Sequence, residues 1–597
     1  MTYRAPIAEQ RFLLRHVVRI DELAGDARFA EATPDLVDAI LEGAAQFAEG
    51  EFAPLDRIGD EVGARWSPEG VTMPAGFREA YRAYVEGGWG TIGAPGEFGG
   101  QGLPFVLSSA VLETLGAANM GFALAPTLTV GAIEALFHHG TPEQQAAYLP
   151  HLATGAWTGT MNLTEPQAGS DLAMVRTRAV PQGDGTYKIF GTKIFITYGD
   201  HDMASNILHL VLARVAGAPE GVKGISLFLV PKFLVAEDGS LGARNDVQCV
   251  SLEHKMGIRA SPTAVLAFGA GEGALGELIG EENRGLEYMF IMMNAARYAV
   301  GMQGIGVAER ARQQAVAYAK ERVQSRPVDG SQAGSATIVH HPDVKRMLML
   351  QRALTEGCRA MALCAAADFD AAHAHPDEAV RRQKQAAYEF MVPLVKGYST
   401  EMSLEATSLN VQVHGGMGFI EETGAAQHCR DARILTIYEG TTAIQANDLV
   451  GRKTARDGGQ AARAVAAQVI ATEEALRADA SEAALAMLGP LSAAREAFEA
   501  VVAFVVDQAR SNPNAVYAGS VPYLMLAGNL VAGWQMARAL LAAQSQVAAG
   551  QGDTPFLQAK VATARFYAEH ILTRVPGQRA AILNGAASVC ALSPDDF

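Results

Sequence analysis

Apolar residues recur at helical spacing through the first 157 residues of the chain. Residues 35–55 place five apolar side chains on one side of a helix, namely Leu36, Ile40, Leu41, Ala44 and Phe47. Residues 141–155 open with Thr141, a proline and Gln144, which is the order of a capping box at a helix N-terminus. The pattern predicts a helical region over residues 1–157.

Between residues 158 and 280 the period changes to two and β-branched and aromatic residues become frequent. Residues 186–190 and 193–197, joined by Gly191-Thr192, are interpreted as a β-hairpin. Further strands are predicted at 207–215, 224–232 and 263–268. With helical neighbours on both sides, this region is expected to form a compact antiparallel β-domain, a small barrel or sandwich.

Helical periodicity returns at Gly285 and continues to Ala586. Three long segments with Gly-rich or polar breaks predict an antiparallel helical bundle, and Ala-rich helices follow it. The break at 457–460 separates the two groups. The predicted fold is mainly α with a central antiparallel β-domain, divided as 1–157 (helical), 158–280 (β), 281–455 (helical bundle) and 456–597 (additional helices).

Composition narrows the classes of function. Of 597 residues, 49% are hydrophobic and 19% charged, which is typical of a globular protein and excludes a disordered chain. The net charge of −16 argues against a nucleic acid or an anionic membrane as partner, because both repel negative surfaces. The five cysteines are scattered, which favours a reduced, cytoplasmic protein.

Two segments have some features of an export signal or a membrane span. Three arginines interrupt the apolar N-terminus, so we expect no signal peptide there. The run 511–537 carries no charge, but its prolines, glycines and asparagines are unsuited to a bilayer. We interpret it as a buried helix of the bundle, and we expect no membrane insertion.

Three segments are candidates for chemistry, although each taken alone is also explained by ordinary structure. MNLTEPQAGSD (161–171) exposes backbone N–H groups and hydroxyls where a strand ends, which suits a phosphate or the edge of a planar cofactor. QVHGGMGF (412–419) follows a long helix and lets the backbone approach a ligand, although a plain helix end explains it equally. Glu439 lies between an apolar run and Gly440, where desolvation would raise its pKa and make it a base near neutral pH. No metal site is expected.

These three segments and three further motifs, taken in their order along the chain, resemble the acyl-CoA dehydrogenase family of flavoproteins. The additional motifs are KIFITYG (193–199), HKMGIRASPT (254–263) and ARYAVGMQGIG (296–306), and the similarity spans about residues 80–455. The extra helical C-terminus resembles the long subgroup of the family. The helical–β–helical layout predicted from periodicity is that family's layout.

The resemblance implies roles for individual residues. Glu439 is the implied catalytic base. The implied FAD contacts are Met161, Leu163, Thr164, Gly169, Ser170, Phe195, Thr197, Arg322, Gln412, Val413, His414, Gly415, Gly416 and Thr441. The implied substrate contacts are Ser170, Asn294, Arg297 and Gly440. The chain departs from the family at Phe195, where tryptophan is common, and at Asn294, where aspartate is common. After Arg322, Ser325-Arg326-Pro327 replaces the common Phe-Gly, so the downstream His341 is not counted among the implied FAD contacts.

The reaction implied by the resemblance is FAD-dependent α,β-dehydrogenation of an acyl-CoA to the 2-enoyl-CoA. An electron-transfer flavoprotein is the implied acceptor, and completion of FAD by a neighbouring subunit implies at least a homodimer. The alternatives are an acyl-CoA oxidase that uses O₂, a dehydrogenase for medium- or long-chain fatty acyl-CoA, and a redox-silent flavoprotein that serves as an assembly partner.

Overall fold

The computed structural model describes residues 3–24, 27–236 and 238–597. Its contacts divide the chain into two compact units. The helical unit contains residues 1–42, 104–113 and 300–597, and the sheet unit contains residues 43–103 and 114–299. The two units are described separately below.

The chain before residue 157 is helical, as predicted, apart from a short hairpin of β1 (Arg65–Ser67) and β2 (Gly70–Thr72). The capping box is confirmed: Thr141 Oγ1 accepts from the Gln144 N–H, and the Gln144 side chain accepts from the Thr141 N–H. The helices are α1 (Ile7–Phe12), α2 (Ile20–Ala24), α3 (Pro34–Phe47), α4 (Asp56–Val62), α5 (Phe77–Glu86), α6 (Phe105–Ala118), α7 (Met120–His139) and α8 (Pro142–Thr154). Among the described residues, α7 is the one helix long and apolar enough to cross a membrane, and most of it is buried within the protein.

The β-region is confirmed as the centre of the sheet unit. Its strands are β3 (Trp157–Asn162), β4 (Arg178–Pro181), β5 (Thr186–Thr197), β6 (Asn206–Val215), β7 (Ser226–Pro231), β8 (Phe233–Val235), β9 (Leu241–Arg244), β10 (Val247–Leu252), β11 (Thr263–Phe268) and β12 (Ala274–Ile279). The main sheet has the order β10-β11-β5-β12-β7-β6-β3. Because β4 pairs with both β5 and β6, the circuit β5-β12-β7-β6-β4 closes into a small barrel.

Two expectations about this sheet are wrong. Residues 186–197 form one continuous strand, because Gly191 lies in the strand and packs against Thr177 so closely that a Cβ would be 2.3 Å from its Oγ1. The strand changes partners near this glycine, from β4 and β12 to β11. The sheet is also mixed, since β6 pairs in parallel with both β3 and β4. A parallel partner lies far away in sequence, so local alternation cannot reveal it.

The C-terminal half is helical, as predicted. Its helices are α9 (Gly285–Glu321), α10 (Pro342–Ala374), α11 (Glu378–His414), α12 (Ala425–Ala432), α13 (Thr442–Val450), α14 (Gln460–Asp479), α15 (Glu482–Gln508), α16 (Pro513–Ala518), α17 (Ser520–Ala548), α18 (Thr554–His570), α19 (Val575–Asn584) and α20 (Ala586–Val589). Close helix packing explains the glycines of α9, since a Cβ on Gly301 would lie 2.4 Å from the Val395 carbonyl oxygen.

The uncharged run 511–537 is confirmed as buried helix from Ser520 onward, whereas its first residues form a turn and the short helix α16 and are mostly exposed. Most of its apolar side chains in α17 are buried, and Leu524 and Leu530 are fully buried. The buried side chain of Asn529 has a hydrogen-bond partner inside the protein, because the Tyr398 hydroxyl donates to Asn529 Oδ1 at 2.8 Å. Helix α17 therefore packs on α11 within the helical unit.

Candidate active site

In the sheet unit, the segment from the end of β3 into the following loop becomes more exposed to solvent along its length. Met161 is buried in the strand, and Leu163 and Thr164 are half-buried at its end. Gly169 and Ser170 follow on an exposed stretch. The first part of the loop is therefore anchored, and the second part offers amides and a hydroxyl to a ligand.

A buried ion pair fixes this loop. Lys193 Nζ lies 2.8 Å from Glu165 Oε1 and donates to the Leu163 carbonyl at 3.0 Å. Glu165 also accepts from the Thr177 hydroxyl and from the N–H groups of Arg176 and Thr177. Burial by itself would raise the pKa of Glu165, but the charge of Lys193 and these hydrogen bonds lower it to about 2.

Phe195 lies beside the loop on β5. The Ile194 N–H donates to the Thr164 carbonyl at 2.9 Å, which brings the β5 segment of Phe195 and Thr197 against the loop. Phe195 has a left-handed φ of 60° and leaves 57% of its surface exposed. An exposed ring held in an unfavourable backbone conformation favours a ligand-stacking role over a packing role.

Two of the four implied substrate contacts, Asn294 and Arg297, lie on one turn of α9 in the sheet unit. Asn294 is exposed, and Arg297 is 5% exposed. Arg297 Nη1 donates to Asn294 Oδ1 at 3.4 Å. The exposed amide is therefore oriented by a buried cation.

In the helical unit, Glu439 lies in a tight turn before α13. Glu439 and Gly440 both have left-handed φ values, 53° and 87°. Thr441 is the N-cap of α13, accepting from the Ile444 N–H at 3.3 Å. The preceding Tyr438 donates its hydroxyl to Gln303 Oε1, and burial together with the Glu439 carboxylate raises the pKa of that tyrosine well above its usual value.

The glycine-rich segment ends α11. Gln412 is exposed, whereas Val413 and His414 are buried, and His414 stacks on Tyr318 with ring centres 4.2 Å apart. Gly415, with φ of 59°, ends the helix, and Gly416 continues an exposed turn.

Arg322 is exposed at the end of α9, one turn after Tyr318, so the helical unit brings Arg322 and the 412–416 segment together. The residues after Arg322 that differ from the family pattern have a defined conformation. Ser325 adopts a left-handed φ of 61°, and the His341 ring donates from Nε2 to the Gln324 carbonyl at 2.7 Å.

Sequence reasoning missed the groups that support these elements. Lys193 and Glu165 hold the loop, whereas Lys396 and Gln445 donate to the turn that carries Glu439. The signal for Lys396 is present in MVPLVKGYS (391–399), where one lysine interrupts a run of buried residues. A charged side chain inside an apolar helix segment needs a polar partner.

Four family models match consecutive parts of the chain. They describe the acyl-CoA dehydrogenase N-terminal domain (residues 35–156), middle domain (160–270) and C-terminal domain (283–454), and an acetyl-CoA dehydrogenase C-terminal-like domain (464–593). The chain belongs to the acyl-CoA dehydrogenase family. It is accordingly an oxidoreductase, and the last match shows an additional C-terminal domain over residues 464–593.

Relatives cover this acyl-CoA dehydrogenase over its full length. The 3-methylmercaptopropionyl-CoA dehydrogenase of Ruegeria pomeroyi is 52% identical over 99% of this chain and 100% of its own. The broad-specificity linear acyl-CoA dehydrogenase FadE5 of Mycobacterium tuberculosis is 37% identical over 97% of each chain. The structure of Bacillus anthracis acyl-CoA dehydrogenase complexed with FAD is 22% identical and confirms the fold, with a TM-score of 0.73 over 99% of this chain and 96% of that one.

Proposed function

We propose that this enzyme uses FAD to introduce an α,β double bond into an acyl-CoA thioester, and that its substrate is 3-methylmercaptopropionyl-CoA. The observation that supports this choice of substrate is the 52% identity, over 99% of the chain, to an enzyme named for that substrate. The N-terminal sequence TYRAPI and the whole-length layout also resemble that group of enzymes.

The side chains of the sheet unit fit a flavin. Phe195 offers an exposed aromatic face on β5, where Thr197 also carries a hydroxyl group, and Thr164 and Ser170 offer hydroxyl groups along the adjoining loop. Planar aromatic rings stack on such faces, and the hydroxyls match the polar rim of an isoalloxazine. When bound, FAD supplies the acceptor for the hydride that leaves the substrate β-carbon.

Glu439 takes the α-proton in this proposal. A thioester α-C–H is a far weaker acid than a carboxylic acid, so the site must lower the cost of forming negative charge at the carbonyl. We assign that task to hydrogen-bond donors at the thioester oxygen, among them the Glu439 N–H, and to the exclusion of water around the base. The substrate then loses one proton and one hydride and leaves as the 2-enoyl-CoA.

Linear fatty acyl-CoA is the second candidate substrate, favoured by the 37% identity to an enzyme named for broad specificity toward linear acyl-CoA. The test is an anaerobic titration of the flavin-loaded enzyme, followed at the flavin absorbance. We expect 3-methylmercaptopropionyl-CoA to bleach the flavin with a larger apparent second-order rate constant than any linear acyl-CoA from four to twelve carbons. A preference for a linear chain would select the second candidate, and absence of bleaching with every acyl-CoA would reject dehydrogenation.

We assign an electron-transfer flavoprotein as the acceptor, which distinguishes the enzyme from an acyl-CoA oxidase. The motifs that carry the family resemblance match dehydrogenases better than oxidases. Reoxidation of the substrate-reduced enzyme is expected to be fast with an electron-transfer flavoprotein and slow with air-saturated buffer. The reverse order of rates would identify an oxidase.

We further propose at least a homodimer, located in the cytoplasm. Support for the dimer comes from the helical unit, where Met417 and Phe419 follow the glycine-rich segment and are 48% and 85% exposed. Large apolar side chains exposed together mark interaction surfaces. Support for the location comes from the five cysteines, none of which is paired with another.

A further inference from the structure

The turn that carries Glu439 adopts a conformation that needs external support. Its two central residues, Glu439 and Gly440, have consecutive left-handed φ values of 53° and 87°. A non-glycine residue in this region is disfavoured, so the turn would relax if nothing held it. A Cβ at Gly440 would lie 2.8 Å from Gln445 Nε2, which shows how closely the support approaches.

Two side chains donate to the carbonyls of this turn. Gln445, in α13, donates from Nε2 to the carbonyl oxygens of Glu439 and Gly440 at 3.2 and 3.3 Å. Lys396, in α11, donates from Nζ to the Gly440 carbonyl at 2.6 Å. The two donors come from different helices, so together they fix the turn relative to both.

Lys396 is fully buried. Removing an ammonium group from water is costly, and an apolar residue in the same place would pack without that cost. Its position is further restricted by Gly397, where a Cβ would lie 2.8 Å from the Leu524 side chain of α17 and 3.3 Å from Gln445. The lysine therefore extends from a tightly packed helix segment, where sliding of its backbone is opposed on both sides.

We propose that Lys396 is a positioning residue, whose buried ammonium holds the Gly440 carbonyl and thereby sets the place of the Glu439 carboxylate. The inference rests on the proposed role of Glu439 as base. Lys396 acts through the turn, so its contribution is geometric. Proton abstraction depends steeply on the distance and alignment of the base, and a misplacement of about 1 Å is able to cost about 100-fold in rate.

The test uses the flavin-loaded, full-length K396M variant, because methionine preserves most of the volume and cannot donate. We expect FAD content and KM within about twofold of wild type, and a fall of about 10- to 100-fold in the anaerobic rate of flavin reduction by substrate. We also expect hydrogen–deuterium exchange in the peptide 437–445 to accelerate at least about tenfold, measured in the absence of substrate. This second readout does not depend on catalysis.

The matched control is K384M, on the same helix. Lys384 pairs with Asp368 at 2.7 Å and is 41% exposed, so its loss is expected to leave exchange at 437–445 and flavin reduction unchanged. K396Q, which is polar and uncharged, is the second variant and is expected to fall between wild type and K396M. It decides the question if K396M does not fold.

Wild-type exchange and wild-type flavin reduction in whichever Lys396 variant folds would overturn the proposal. A failure of the proposed function would look different. In that case E439Q would also reduce its flavin at the wild-type rate, while the exchange measurement on the Lys396 variants would still report whether the turn is held.

Discussion

At the scale of single residues, the most direct test of the reaction is E439Q. The amide has nearly the same shape as the carboxylate but cannot take a proton, so we expect FAD binding and fold to persist while flavin reduction falls by about 100- to 10,000-fold. Rapid anaerobic mixing with substrate measures that rate. The variant E401Q is a suitable control, because Glu401 accepts from Thr442 at 2.6 Å on the helix side of the same segment. Near-normal reduction by E439Q would exclude Glu439 as the base.

The pair of Glu165 and Lys193 gives a second residue-scale prediction, on stability. With its pKa lowered to about 2, Glu165 stabilises the fold at pH values above its unfolded pKa of about 4.5, and this stabilisation is lost as the pH falls toward 2. E165Q should therefore lower the free energy of unfolding by about 3 kcal/mol at pH 7 and by much less at pH 2.5.

Thermal unfolding of wild type and E165Q at the two pH values measures this difference. D184N is the control, because Asp184 is an exposed carboxylate bound to Thr186 in a turn. If the difference in the free energy of unfolding between wild type and E165Q stayed constant from pH 7 to 2.5, the assigned ion pair would be contradicted. Since the pair fixes the Leu163 carbonyl, we also expect E165Q to bind FAD more weakly.

At the scale of elements, the helices after residue 456 belong to the core of the helical unit. Lys560 of α18 is fully buried and lies 2.6 Å from Glu9 of α1 and 2.7 Å from Glu356 of α10. Tyr398 of α11 joins Asn529 and Tyr567 through hydrogen bonds of 2.8 and 2.9 Å. These contacts bind both ends of the chain to the long helices.

Truncation after Gly459 should therefore yield aggregated protein. The truncated chain would expose the apolar surface that α17 now covers on the remaining helices, and each large buried side chain contributes about 1.5–3 kcal/mol. It would also leave Glu9 and Glu356 buried without Lys560. Soluble yield and light scattering measure the effect.

Truncation after Gly585 is the matched control, because it removes an exposed tail that contributes no buried side chain among the described residues. It should leave solubility and activity unchanged. A chain ending at Gly459 that remains soluble and fully active would show that the last helices are an independent appendage.

At the scale of the whole molecule, the prediction concerns assembly. If Met417 and Phe419 are covered by a second copy, F419E should weaken the dimer and release FAD, because a buried charge without a partner is costly. Light scattering coupled to size exclusion, with flavin absorbance, measures both. F597E alters another strongly exposed phenylalanine and should change neither. A wild-type protein that is monomeric yet retains stoichiometric FAD would contradict the proposal.

The sequence by itself determined the elements and the family. Helical periodicity and the capping box at Thr141 predicted helices that the structure confirms, because caps and amphipathic faces are local properties. Ordered motifs across 350 residues identified the family that the four family models confirm. They also selected Glu439, because it lies between an apolar run and Gly440.

The tertiary structure alone decided how the strands pair and what holds the loops. The pattern of residues 186–197 predicts a hairpin with a turn at Gly191. In the structure this glycine instead lies within one strand and lets the backbone pack closely against Thr177 of another segment. Lys193 donates hydrogen bonds to Glu165 and Leu163, and Lys396 donates to Gly440, over separations of 28 to 44 residues. Such partners are fixed by the packing of whole elements, so no local pattern of hydrophobic and polar residues is able to encode them.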